Sequence, residues 1–168
     1  MPGRVHMVAG GTGAGKTAYA TRLASDERGM LFSVDQWMRV LFEPDRDGPP
    51  EYAWMMERIG RVEEMIWELV IQADEIGRPS ILDLGFMEAA HRRAHRRRAR
   101  RAGLRVHLHL IDLPHEVRWE RVQQRNAEKG PTFAMHVTRE MFMFTDTLWE
   151  RPEGNELGRY DAVTILND

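Results

Sequence analysis

Eight residues, GGTGAGKT, run from Gly10 to Thr17 between the apolar stretch VHMVA and the segment AYATRLA. Gly10, four intervening residues, then Gly15, Lys16 and Thr17 have the spacing of a loop that wraps phosphate. The context agrees, since a strand-like run precedes and a helix-like run follows. Glycine lets the backbone curl until successive N–H groups, here those of Gly11, Thr12, Gly13, Ala14 and Gly15, face one anion. The positive end of the following helix dipole adds to them. Lys16 is then placed for the β and γ phosphates of a nucleotide and the Thr17 hydroxyl for Mg2+. The expected ligands are therefore ATP and Mg2+. A glycine-rich turn with no ligand is the bland alternative, and the agreement of motif and flanks weighs against it. Lysine stands at two positions in the whole chain, Lys16 and Lys129, and the first is the motif position.

In open α/β sheets ligands collect at the carboxyl ends of strands, so acids that close apolar runs come next. Asp35 follows Met30 to Val34, and Asp83 follows Ser80, Ile81 and Leu82. A carboxylate so placed holds a metal ion or its water, or takes a proton from an attacking hydroxyl. Asp83 is assigned to the metal beside Thr17, and Asp35 to the general base. Asp is also favoured at helix N-caps and in turns. For Asp35, which opens the apparent helix QWMRVLF, the cap is the competing reading.

The elements that must carry these residues alternate. Apolar runs of strand length lie at Val5 to Ala9, Met30 to Val34, Ile81 to Leu84, Val106 to Ile111 and Ala162 to Leu166, with helix-like segments between them. That alternation predicts an α/β fold, a single three-layer domain with a mostly parallel five-stranded sheet. Tyr52 to Ile76 is the longest helical candidate, with Met55, Ile59, Val62, Ile66, Leu69 and Ala73 on one stripe. EPDRDGPPE, Glu43 to Glu51, reads as a surface loop, and EKGPT, Glu128 to Thr132, as a break between two helical stretches.

With 168 residues and a formal net charge of −2, the chain fits one domain and gives no overall reason to expect nucleic acid or an anionic membrane as partner. It has no cysteine, which excludes disulfides and thiol chemistry. No stretch approaches the roughly 20 apolar residues of a membrane span, and MPGRVHMVAGG does not read as a secretory signal. A cytoplasmic location is expected, with no obligate protein partner.

GGTGAGKT, then SVDQWMRVLFEPDR, then ILDLGFMEAAHRRAHRRRARRAGLRVHLHLIDLPHEVRWERVQQRN resemble, in that order, the small phosphate-loop kinases that include the kinase domain of polynucleotide kinase, chloramphenicol phosphotransferase and the zeta toxins. The resemblance implies that Asp35 activates an acceptor hydroxyl. A basic residue close behind that acid contacts phosphate in the family, a role that falls to Arg39, Met38 standing at the spacing seen in polynucleotide kinase. PHEVRWERVQQRNAEKG reads as a helix with Arg121, Arg125 and Lys129 four apart on one face. The family forms a lid here, near residues 121–140, that closes over ATP, so the resemblance implies that these three cations meet the transferring phosphoryl group. A solvated face paired with Glu116, Glu120 or Glu128 is the alternative.

His91 to Arg105 holds eight arginines in fifteen residues. With no aromatic to stack a base, an exposed helix is expected there rather than a nucleic-acid footprint. His107 and His109 alternate along a strand, which permits a metal pair. No third ligand is evident, so packing is expected. Trp54, Met55, Met56 and Trp67, with Phe133, Met135, Met141 and Phe144, are candidates to line an apolar acceptor pocket, though most should be core. The functional expectation is an ATP-dependent transfer of a phosphoryl group to a hydroxyl of a small molecule or a nucleic-acid end. The alternative is a nucleotide-binding ATPase or switch without an acceptor, for which the chain offers no separate output domain.

Overall fold

A computed structural model describes residues 3–49, 51–130, 133 and 136–167. Five strands form one sheet in the order β2-β3-β1-β4-β5, every neighbouring pair parallel. They are β1 (Arg4–Gly10), β2 (Met30–Ser33), β3 (Ser80–Asp83), β4 (Arg105–Ile111) and β5 (Ala162–Leu166). Parallel strands covered on both faces need apolar side chains on both, and β1 is buried from Val5 onward for that reason. Six helices complete the layers: α1 (Lys16–Asp26), α2 (Val34–Leu41), α3 (Tyr52–Glu75), α4 (Ala89–Arg101), α5 (His115–Glu128) and α6 (Arg139–Thr147).

One face of the sheet, with Val5, Met7, Leu82, Val106 and Leu108, packs on Ile66, Trp67 and Val70 of α3 and Ala99 of α4. On the other, Val8, Ile81 and Ile111 meet Ala20 and Leu23 of α1 and Val117 of α5. The chain leaves β1 for β2 and β3 on one side and joins β4 and β5 on the other. The strand order therefore reverses at β1, and a crevice opens at its carboxyl end.

Helix α4 corrects an expectation. Arg93, Arg97, Arg100 and Arg101 are exposed as expected, but Arg92, His95 and Arg96 are buried. The Arg92 guanidinium donates to both Glu156 carboxylate oxygens, at 2.7 and 2.9 Å, and to the carbonyls of Phe86 and Met87, at 3.0 and 2.9 Å. Arg96 lies over the Tyr160 ring, and Arg98 forms a two-pronged bond with Glu64 of α3. Lying on the sheet, the helix turns charged side chains inward, and it pairs Arg92 there with a carboxylate while Arg96 rests on an aromatic ring. Among the described residues no helix is long and apolar enough to cross a membrane.

Candidate active site

Strand β1 ends at Gly10 and α1 begins at Lys16. The intervening turn closes through the Ala14 N–H, which donates to the Gly11 carbonyl at 3.1 Å. Gly13 and Gly15 have φ of 81° and 91°, and a Cβ on Gly13 would stand 2.4 Å from the Arg118 carbonyl. Glycine is required at Gly13 on both counts. The first turn of α1 carries no acid, so the positive end of its dipole faces the loop unopposed.

The expected phosphate residues converge. Lys16 donates to the carbonyls of Gly10 and Gly11 at 2.9 and 3.1 Å, so its ammonium lies across the mouth of the loop. Burial pushes its pKa below the ordinary lysine value, and the carboxylates of Asp83 and Asp35 oppose that shift. The Thr17 hydroxyl donates to Asp83 Oδ2 at 2.8 Å. Burial raises the Asp83 pKa above that of a free carboxyl, against the pull of Thr17 and Lys16. Ser33, a residue the sequence did not single out, adds a longer bond to the same oxygen at 3.4 Å.

Lys16, Thr17, Asp35, Asp83, Arg121 and Arg125 line one cleft of about 280 Å³. Asp35 sits in the first turn of α2 but is not its cap, since the cap position belongs to Ser33. Arg121 reaches the Ala14 carbonyl at 3.3 Å. Arg125 is half-buried, its Nε has no hydrogen-bond partner among the described residues, and burial lowers its pKa while Asp35 raises it. Lys129 is not among the lining residues: it is the C-cap of α5, with φ 48°, and its ammonium stands over Phe133. Arg39 is exposed in the last turn of α2. A second cavity of about 400 Å³ shares Gly15, Ala18 and Arg121 with the first and is walled by Tyr19, Ile111 and Leu166.

A family model described as an AAA domain matches residues 5–145. The chain belongs to that family. Its members' phosphate-loop, kinase-like fold recurs among solved structures. A sugar kinase from Janibacter sp. HTCC2649 superposes with a TM-score of 0.64 at 18% identity, over 99% of this chain and 86% of that one. The APS kinase of Mycobacterium tuberculosis, in complex with AMPPNP and APS, gives 0.61 at 19% identity over 98% and 90%. A chain of the Pnkp1/Rnl/Hen1 RNA repair complex gives 0.62 at 16% over 88% and 46%. The sequence matches no curated protein.

Within this family member the sequence reading overlooked Arg118. It is buried on α5, donating to the Leu113 carbonyl at 3.1 Å, the Thr12 carbonyl at 3.2 Å and Asp146 of α6 at 2.6 Å. Asp146 also accepts from His115 at 2.8 Å, and the Thr12 hydroxyl meets that of Thr145 at 2.9 Å. Burial works against the Asp146 charge, but Arg118 and His115 outweigh it and hold the carboxyl below its usual range. The signal was present in the spacing, since Arg118, Arg121 and Arg125 fall three and four apart along one helix face.

Of the proposed pocket residues, Trp67 is core and donates to His95, while Met56, Met141 and Phe144 face solvent. Trp54 and Met55 are half-buried, and Arg58 covers the Trp54 ring. None of these, nor Phe133, lines the phosphate cleft. Met135 lies outside the described residues.

Proposed function

We propose that the protein is a kinase that transfers the γ-phosphoryl group of ATP to a hydroxyl of a small molecule or a nucleic-acid end. The observation that carries this reading is Asp35: its carboxylate lines the same cleft as Lys16 and Thr17 without serving as the helix cap. The likeness in fold to a sugar kinase and an APS kinase supports it.

The loop N–H groups hold the phosphates, and Lys16 moves from the Gly10 and Gly11 carbonyls onto the β and γ oxygens. Thr17 and Asp83 offer a hydroxyl and a carboxylate side by side, the oxygen donors Mg2+ prefers, and that ion would supply neutralisation of phosphate charge. The acceptor oxygen bonds to the γ phosphorus while the bond to the β-bridging oxygen breaks. Its proton passes to Asp35, and the electron pair leaves with ADP. Arg125 and Arg121 border the same cleft, and the half-buried guanidinium of Arg125 would act the more strongly on the negative charge that shifts there. The adjoining cavity beside Tyr19 and Ile111 has room for the nucleoside.

The test is an ATP-consumption screen over sugar, nucleoside, antibiotic and 5′-hydroxyl acceptors, with the product identified by mass spectrometry. Asp35→Asn keeps size and hydrogen bonding but cannot accept the proton, so transfer should fall about 10²-fold or more while MgATP binding persists. Full transfer by the Asn variant, or ATP hydrolysis with no phosphorylated product from any acceptor, would overturn the proposal.

A further inference from the structure

The histidines of β4 do not stand alone. His6 of β1 pairs in register with His107 and shares its face of the sheet, so three imidazoles meet beneath α1. Each offers a nitrogen such that the three atoms lie within 4.8 Å of one another. His6 and His109 are 1% and 3% exposed. His6 Nδ1 lies 2.9 Å from His109 Nε2, and the Tyr19 hydroxyl lies 2.7 Å from His109 Nδ1. His107 Nε2 faces the Thr164 hydroxyl at 2.8 Å. The remaining nitrogen of His6, Nε2, is buried with no partner among the described residues.

We propose that His6, His107 and His109 form a binding site for one borderline divalent transition-metal ion of the Zn2+ type, separate from the phosphate cleft. Two alternating histidines on one strand and a third on its neighbour present three nitrogens to one point, the three-histidine donor set that zinc accepts. Ligand nitrogens about 2.0 Å from such an ion stand roughly 3.4 Å apart in a tetrahedron. Reaching that from the present spacing takes a shift of about 1 Å or less at each ring, the His6 and His109 nitrogens opening from 2.9 Å as the His107 nitrogen closes in.

The surroundings fit a metal. Burial drives His6 down to about 4 and His109 to about 3, so both are uncharged at neutral pH, the state in which imidazole ligates. Tyr19 is placed to hold His109 Nδ1–H, the outer contact that fixes a ligating ring. Binding moves the proton between His6 and His109 onto His6 Nε2, so that both facing nitrogens are free to ligate and both rings stay neutral imidazoles. His107, half-buried beside the edge strand β5, gives the ion a way in. Imidazole nitrogens favour zinc, copper, nickel or cobalt over magnesium.

The second trio, Glu63, His91 and His95, contrasts with it. The Trp67 indole N–H donates to His95 Nδ1 at 2.9 Å, so the proton of neutral His95 sits on Nε2 and points at Glu63. A nitrogen that donates to a carboxylate has no lone pair for a metal. Burial disfavours the Glu63 charge, but the bonds from His91 and His95 prevail and hold its pKa to about 2.

The experiment titrates nucleotide-free, chelator-treated protein with Co2+ in excess Mg2+, then displaces it with Zn2+. One equivalent should bind at micromolar concentration with the visible bands of four-coordinate cobalt, and melting should shift upward. Tyr19→Phe should weaken binding about 10-fold. His107→Ala, chosen because that ring is only half-buried, should abolish the coloured complex, and His91→Ala should retain it. On wild-type protein, imidazole nitrogen NMR should show three histidines moving with one equivalent of Zn2+ and those of α4 unmoved, a reading that stands even where a variant fails to fold. No stoichiometric binding, binding retained in His107→Ala, or signals moving at His91 and His95 instead would overturn the proposal.

Discussion

Helices α4 and α5 are both rich in arginine, yet they use it in opposite ways. On α4 Arg92 meets the Glu156 carboxylate and the partly exposed Arg98 the Glu64 carboxylate, while Arg96 lies over the Tyr160 ring with its Nη1 unbonded among the described residues. On α5, Arg118 is tied to Asp146 and to backbone carbonyls, whereas among the described residues Arg121 meets only the Ala14 carbonyl and Arg125 borders the cleft with its Nε unbonded. A cation bonded to a carboxylate holds elements together; one that borders a cavity with no carboxylate bonded to it among the described residues keeps its charge for an anionic ligand. Count and spacing of arginine do not distinguish these cases. The placement of carboxylates far away in sequence does.

Three substitutions test that contrast. Arg92→Ala strips a fully buried guanidinium from Glu156 and leaves the Phe86 and Met87 carbonyls unbonded, so it should cost about 3–5 kcal/mol of stability. Chemical denaturation measures it; a loss under about 1 kcal/mol would put α4 in the surface class. Arg125→Ala should leave the melting temperature close to where it is, because the half-buried cation removed has no bonded carboxylate among the described residues and its burial cost offsets the attraction of Asp35. Its maximal transfer rate should nonetheless fall about 10²-fold, roughly 3 kcal/mol, with nucleotide affinity nearly kept. Loss of affinity with no loss of rate would make Arg125 a mere anchor for nucleotide. Arg98→Ala, which breaks a pair between partly exposed side chains, should change stability by about 0.5 kcal/mol or less and transfer not at all. A larger drop on denaturation would show that the α3–α4 contact depends on this pair.

The inner strands were legible because a parallel sheet covered on both faces writes them as largely apolar runs, and β5, mostly exposed at the edge, was legible from its β-branched residues. The run ending at Val34 was read one residue too far, as the chain turns helical at Val34 itself. The phosphate loop was legible because its glycines answer a local backbone demand. What the sequence hid were contacts between distant segments. Glu156 lies 64 residues from Arg92, and composition alone sent α4 to the solvent. His6 joins His107 only through strand register. Helical periodicity carried the α5 stripe one turn too far, to Lys129, where the backbone has already turned left-handed. Arg118 escaped for the converse reason, since the stripe was not followed backward.

The phosphate loop is gripped at both ends: Thr12 by Arg118 and Thr145 from one side, Thr17 by Asp83 from the other. Such a loop is organised when the chain folds, not when an anion arrives. The conformational entropy of lining up its amides is lost once, at folding, and so does not recur with each association. An arriving polyphosphate then loses chiefly its own freedom of motion and its water. Capture should accordingly be quick and nearly rigid at the loop, with the slower rearrangement left to the side chains of α5 that border the cleft.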